Sequence, residues 1–112
     1  VEDAIRNSVR NGIGNVRFIH ANLEKYSLDN SLPVPDVVVV DPPRAGLQGS
    51  AVKSVLSFGA KKIIYVSCNP STQARDTLAF LQSGYQLISM VLIDMFPHTP
   101  HVETIGVFQL GP

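Results

Sequence analysis

Cysteine is almost missing from this 112-residue chain, and the single one, Cys68, has no second thiol to join. An internal disulfide is thereby excluded, and with it the usual mark of an oxidising compartment. Net charge is missing too. Nine Lys and Arg offset nine Asp and Glu, so there is no polybasic face of the kind that drives non-specific nucleic-acid binding. No apolar run approaches the roughly 20 residues needed to cross a bilayer. Residues 1–10 are amphipathic and mixed in charge, unlike the basic-then-apolar pattern of a secretory signal. A last absence concerns glycine: no strand runs through a GxGxxG turn into a helix, because Gly12 and Gly14 follow a helical stretch. If the chain is a cofactor-binding α/β domain, its first strand-helix unit is missing upstream.

What is present supports one folded domain over residues 1–112, soluble and cytoplasmic, with no membrane contact. The composition is 45% hydrophobic, enough for a real core at this length. Repeats, low-complexity tracts and interdomain linkers are not found.

Periodicity sets the order of elements. Val1 to Asn11 places Ala4, Ile5, Ser8 and Val9 on one side of a helical wheel, with Gly12 as a C-cap. Val16 to Ile19 reads as a short strand, Leu23 to Leu28 as a helical turn, and Asn30 to Pro35 as a loop. Asp36 to Val40 is a continuous β-branched run without alternation, which predicts a strand buried on both faces. Ser50 to Phe58 suits a helix, Lys62 to Val66 a second two-sided strand, and Ser71 to Gln82 a helix closed by Gly84. Tyr85 to Ile93 and Thr104 to Leu110 complete the set as strands. This alternation predicts an α/β fold with a mostly parallel sheet. The loop between the last two strands has no room for a crossover helix, so those strands are expected to be antiparallel neighbours.

Topology then concentrates the chemistry. Ligands of open α/β sheets bind outside the carboxyl ends of the parallel strands. Asp41 and Cys68 each fall just past such an end, and an antiparallel final strand begins at the same rim with Glu103. In Asp41-Pro42-Pro43-Arg44 the prolines end the ladder and stiffen the turn behind the carboxylate; a plain strand terminator with a solvated Asp is the bland alternative. In Ser67-Cys68-Asn69-Pro70-Ser71-Thr72 a thiol sits at a strand-to-helix turn. There the helix dipole favours a thiolate, whereas the bland alternative is a buried cysteine acting as a small hydrophobe. The loop Asp94 to Glu103 carries His98, His101 and two acids, but the histidines lie on a Pro-broken segment and no second cluster completes a metal set. No metal is expected; a loop that presents an acid or base is.

Three segments, VDPPRAGL (Val40 to Leu47), VSCNPSTQARD (Val66 to Asp76) and DMFPHTPHVETI (Asp94 to Ile105), resemble in order three motifs of the RNA uracil-5-methyltransferases that modify tRNA and rRNA. AIRNSVRNGIGNVRFIHANLEK is similar to the helix and strand that follow the ribose site in that family. The resemblance implies a Rossmann-like S-adenosylmethionine-dependent methyltransferase fold, N-terminally truncated, with strand order three-two-one-four-five-seven-six. It implies that Cys68 is the nucleophile and Glu103 the base. Asn22 and Asp41 would meet S-adenosylmethionine; Asp41, Arg44 and Asn69 would meet the substrate; His98 and Asp94 would shape the loop. The partner would be tRNA or rRNA.

That chemistry requires these residue types. Carbon 5 of uracil is a weak nucleophile until a thiolate adds to carbon 6, and a base must afterwards remove the proton on carbon 5 so that cysteine can leave. The uracil must be unstacked or single-stranded for its ring face to be reached. With the donor loop missing, the chain alone is expected to be inactive, and its unpaired sheet edges to favour self-association. An amino-group methyltransferase of nucleic acid or protein is the competing enzyme class, although Arg44 replaces the aromatic residue of its Asp/Asn-Pro-Pro-aromatic motif. A non-catalytic interaction module is the third reading.

Overall fold

In the computed structural model, which describes residues 1–26 and 33–112, helix α1 (Glu2–Arg10) opens the chain. It carries Glu2 and Asp3 in its first turn and Arg10 in its last, charges that suit the helix dipole. None of its residues is buried. Residues 13–21 then run without regular structure, so Val16 to Ile19 is not a strand. The reason is pairing: an extended segment is stable only when a neighbour accepts its backbone groups, and this one pairs with none of the four strands of the sheet. A turn follows at 22–26, where Asn22 and Leu23 accept from the backbone of Lys25 and Tyr26. The rest of the expected turn at 23–28, and the first half of the loop at 30–35, lie outside the described residues.

The remaining elements match expectation closely: β1 (Val37–Val40), α2 (Gln48–Ser57), β2 (Lys62–Ser67), α3 (Pro70–Gln82), β3 (Tyr85–Ile93) and β4 (Glu103–Leu110). Helix α3 starts where its sequence dictates. Asn69 caps it by accepting from the Ser71 amide, and Pro70 occupies a first-turn position where no amide is needed. Gly84 follows it in the left-handed region at φ +90°.

The strands form one sheet in the order β1-β2-β4-β3. This is the four-five-seven-six end of the expected order. β1 and β2 are parallel, whereas β4 is antiparallel to both β2 and β3. The sheet is therefore mixed rather than mostly parallel: of its three strand pairs among the described residues one is parallel and two are antiparallel, because it holds only the four-five-seven-six end of that order.

Helices α2 and α3 cover one face. Beneath them Phe80, fully buried, is ringed by Tyr65, Tyr85 and Phe108, the last an edge-on contact at 5.1 Å. Val40, Val52, Val55 and Ile63 complete this core. The second face is uncovered among the described residues. Val37 and Val39 are 46% and 63% exposed, and the predicted two-sided burial of β1 is not realised. Val39 is paired with Ile64, and Val66 with Ile105, so an apolar surface crosses the sheet on that side. Among the described residues no helix is long and apolar enough to cross a membrane.

Since all three neighbouring rings close on Phe80, Phe80→Ala is expected to cost about 3–5 kcal/mol, measured as a drop in unfolding free energy by urea titration. A loss below about 1 kcal/mol would show that the ring is not central.

Candidate active site

Side chains alternate along a strand, so faces can be followed to the rim. Val37 and Val39 on β1 lead to Asp41; Ile64 and Val66 on β2 lead to Cys68; on β4, Val107 and Ile105 lead to Glu103. All three series lie on the uncovered face. The β2-β4 ladder ends with Ser67 opposite Thr104. One step further brings Cys68 opposite Glu103, and cross-strand neighbours stand about 5 Å apart at Cβ.

Asp41, Cys68 and Glu103 line one cavity of about 390 Å³ with an apolar floor of Val66, Ile93 and Ile105. Met95 and Phe96, whose loop position had suggested no role, form its outer wall. Cys68 is part-exposed, neither sealed in the core nor fully free. Asp94 shapes the loop: its carboxylate accepts from the Phe96 amide, and the Thr99 hydroxyl donates to the Phe96 carbonyl at 2.7 Å. His98 turns the loop in the left-handed region at φ +68°. No group of three or more His, Cys, Asp or Glu able to hold a metal occurs among the described residues.

Asp41 also lines a second cavity of about 500 Å³, together with Asn22, Glu24, Val40, Gly46 and Phe58. Asn22 and Asp41, the two expected cofactor contacts, are thus in one cavity, and Asp41 alone of the rim acids touches both. The side-chain oxygen of Asn22 accepts from the Glu24 amide at 2.9 Å.

The turn after β1 is held from behind by α3. The Arg44 carbonyl accepts from Asn69 Nδ2 at 3.0 Å and from the Thr72 hydroxyl at 3.1 Å, and the Ala45 carbonyl accepts from Arg75 at 2.8 Å. Both ends of the Asn69 amide are therefore engaged within the chain, a structural duty besides the expected substrate contact. The Arg44 side chain reaches His101 of the last loop at 3.3 Å. Gly46 makes this closeness possible. At φ +76° a Cβ there would lie 2.6 Å from both Arg75 and Asp76.

Residues that the sequence did not mark form the support. Asp76, 3% exposed, accepts from the Leu47 amide and the Tyr65 hydroxyl, each at 2.8 Å, and pairs with Arg75. Gln73, 1% exposed, donates to the Tyr65 carbonyl at 3.0 Å and accepts from the Thr104 hydroxyl at 2.6 Å. A tyrosine inside an apolar strand was the available signal, since a buried hydroxyl needs a partner.

This fold and rim define a methyltransferase-like α/β domain, and the comparisons place it more closely. The model of the tRNA (Uracil-5-)-methyltransferase family matches residues 1–110; the chain belongs to that family. It is 45% identical over 111 residues to the 23S rRNA (uracil(1939)-C(5))-methyltransferase RlmD of Vibrio campbellii, covering 97% of this chain and 25% of that protein. It is 47% identical over 116 residues to an uncharacterized RNA methyltransferase of Listeria innocua, again 97% of this chain and 24% of the other. Among solved structures, the Pyrococcus abyssi tRNA (uracil-54, C5)-methyltransferase in complex with S-adenosyl-L-homocysteine matches with a TM-score of 0.76 and 39% identity, over 96% of this chain and 26% of that one. The chain thus spans about a quarter of the length of these relatives, and it has the fold of the matching part of a known methyltransferase.

Burial, and then the hydrogen bond to Asp76, push the Tyr65 phenol well above its ordinary value of 10.0; burial raises Tyr85 as well. In the unfolded chain these phenols ionise near pH 10 while in the folded chain they stay protonated. Their contribution is therefore fully present below about pH 10 and is lost as pH rises above it. The urea midpoint is expected to fall as pH rises above about 10, and less steeply in Tyr65→Phe. That variant also loses about 1–2 kcal/mol at neutral pH, because Asp76 is left short of a donor. Equal alkaline slopes in the two proteins would remove Tyr65 from the explanation.

Proposed function

We propose that this chain carries the reaction centre of an RNA uracil-5-methyltransferase acting on uridine in tRNA or rRNA, with Cys68 as nucleophile and Glu103 as base. The observation that supports it most is the cavity shared by Asp41, Cys68 and Glu103, in a chain whose relatives carry this activity in their names. The apolar floor and the Phe96 wall suit the faces of a planar pyrimidine, and the polar groups are confined to the rim.

The thiolate of Cys68 adds to carbon 6 of the unstacked uracil, which makes carbon 5 an enolate carbon able to take a methyl group. S-adenosylmethionine, when bound, supplies that methyl. Glu103 then removes the proton on carbon 5, and the electron pair released expels Cys68 and restores the ring double bond. Asp41, on the wall common to both cavities, keeps a carboxylate where a cationic donor and the base would meet. The larger cavity fits the donor chemically: Phe58, Val40 and Leu23 give flat apolar surface, while Asn22 and the acids give hydrogen-bonding groups. Arg44 and Asn69 brace the turn behind Asp41, and neither lines the cavity that holds Cys68 and Glu103.

Grafted in place of the matching segment of the Vibrio campbellii relative, the chain is expected to sustain uridine methylation and to trap 5-fluorouridine RNA as a covalent complex. Cys68→Ala should abolish both. Glu103→Gln should lower turnover by about 10²–10⁴-fold while allowing adduct formation, because addition does not need the base. Undiminished methylation by the Cys68→Ala chimera, or an inactive parent chimera, would sink this reading.

The isolated 112 residues are expected to show no turnover and only weak binding of S-adenosylmethionine by calorimetry, and to self-associate through the unpaired edges of β1 and β3 in sedimentation. Robust turnover, or a strict monomer, would contradict the corresponding part.

A further inference from the structure

We propose that Gln73 is a positioning residue of this site, holding Glu103 opposite Cys68 through the Thr104 hydroxyl. The inference rests on the functional reading above and adds a residue to it. Gln73 comes from α3, behind the sheet, and makes no contact with the rim cavity. Its amide nevertheless bridges the two strands that end there. Nε2 donates to the Tyr65 carbonyl on β2 and Oε1 accepts from Thr104 on β4, so one rigid group spans the end of the β2-β4 ladder.

Three features show that the bridge is built. Gln73 is 1% exposed, less than Val40, Leu47, Ala51, Val52 or Tyr85 of the apolar core, and a buried amide left unpaired is costly. Gly106, paired with Tyr65, has no side chain to fill the space; a Cβ there would stand 3.4 Å from the Gln73 amide nitrogen and 3.0 Å from the Phe108 ring. The Thr104 hydroxyl makes the short contact at 2.6 Å to Gln73 and points to the helix face, which by alternation turns Glu103 to the cavity. Glu103 stands one residue past the last β2-β4 pair and is held in the ladder on its other side, opposite Ile93 of β3, so releasing the Thr104 hydroxyl loosens it on the side that meets Cys68.

The test uses alkylation of Cys68, the single thiol, by iodoacetamide across pH in the 112-residue chain, and so needs no methylation. Glu103→Gln removes one negative charge about 5 Å from the reacting sulfur and should speed alkylation at neutral pH by roughly fourfold, the size of that interaction in a water-like medium. In Thr104→Val, which keeps the shape and loses the hydroxyl, the same charge change should matter by less than about twofold. Thr104→Ser, which keeps the hydroxyl, should restore it, and Gln73→Leu should behave as Thr104→Val where it folds. A merely structural role for Gln73 would lower stability and leave the fourfold effect untouched. Persistence of that effect in Thr104→Val overturns the proposal while leaving Cys68 and Glu103 in their roles. Its absence in the parent chain removes Glu103 from beside Cys68, and the base assignment falls with the positioning one.

Discussion

The carboxylate of Asp76 is the joint on which the candidate site depends. It is almost wholly buried, where an ion is tolerated only if its hydrogen bonds are met. Here the backbone of Leu47, the hydroxyl of Tyr65 and two nitrogens of Arg75 supply four donors, all within 2.9 Å. They come from the turn after β1, from the middle of β2, and from α3 itself. Leu47 is also the N-cap residue of α2, which no side chain of its own caps. Asp76 therefore places negative charge at that helix N-terminus from a distant part of the chain. Removing it would orphan a buried hydroxyl and a buried amide together, and would loosen the turn that carries Asp41.

Around that joint the rim chemistry and the uncovered apolar face are one feature. The alternation that sends Asp41, Cys68 and Glu103 to the rim puts Val39, Val66 and Ile105 directly beneath them. A pyrimidine ring seated there would rest on hydrocarbon and meet polar groups only at its edge. The same surface continues down the sheet, which is why β1 and β2 fall short of the two-sided burial that their sequences suggest.

Much of this was legible in the sequence, and what was not has physical causes. The caps of α3, the antiparallel final pair and the convergence of Asp41, Cys68 and Glu103 on one rim follow from turn residues and topology. A run of valines reads the same whether or not a second layer covers it, so the exposure of Val37 and Val39 was hidden. Val16 to Ile19 has strand composition but no partner, and composition does not report pairing. The network in α3 escaped for a sharper reason. Gln73, Asp76 and Phe80 share the buried stripe while Leu78 and Leu81 are 60% and 44% exposed, so an amphipathic reading aims the helix the wrong way round. Polar residues were the inward ones because a tyrosine, an amide and a threonine hydroxyl were waiting for them.

The buried polar pair also bears on register, which ordinary strand pairing leaves open to slippage. Sliding β4 by one residue against β2 would send Glu103 to the helix face and Thr104 to the cavity. It would turn Phe108 out of its ring cluster and leave Gln73 facing a position with no hydroxyl. Apolar packing alone penalises the slip through Phe108, at the far end of the strand. The Gln73 amide penalises it at the rim end, within one residue of Cys68 and Glu103, the proposed nucleophile and base. A hydrogen bond in the core thus specifies an arrangement at the surface, and its value lies in excluding the wrong register more than in net stability.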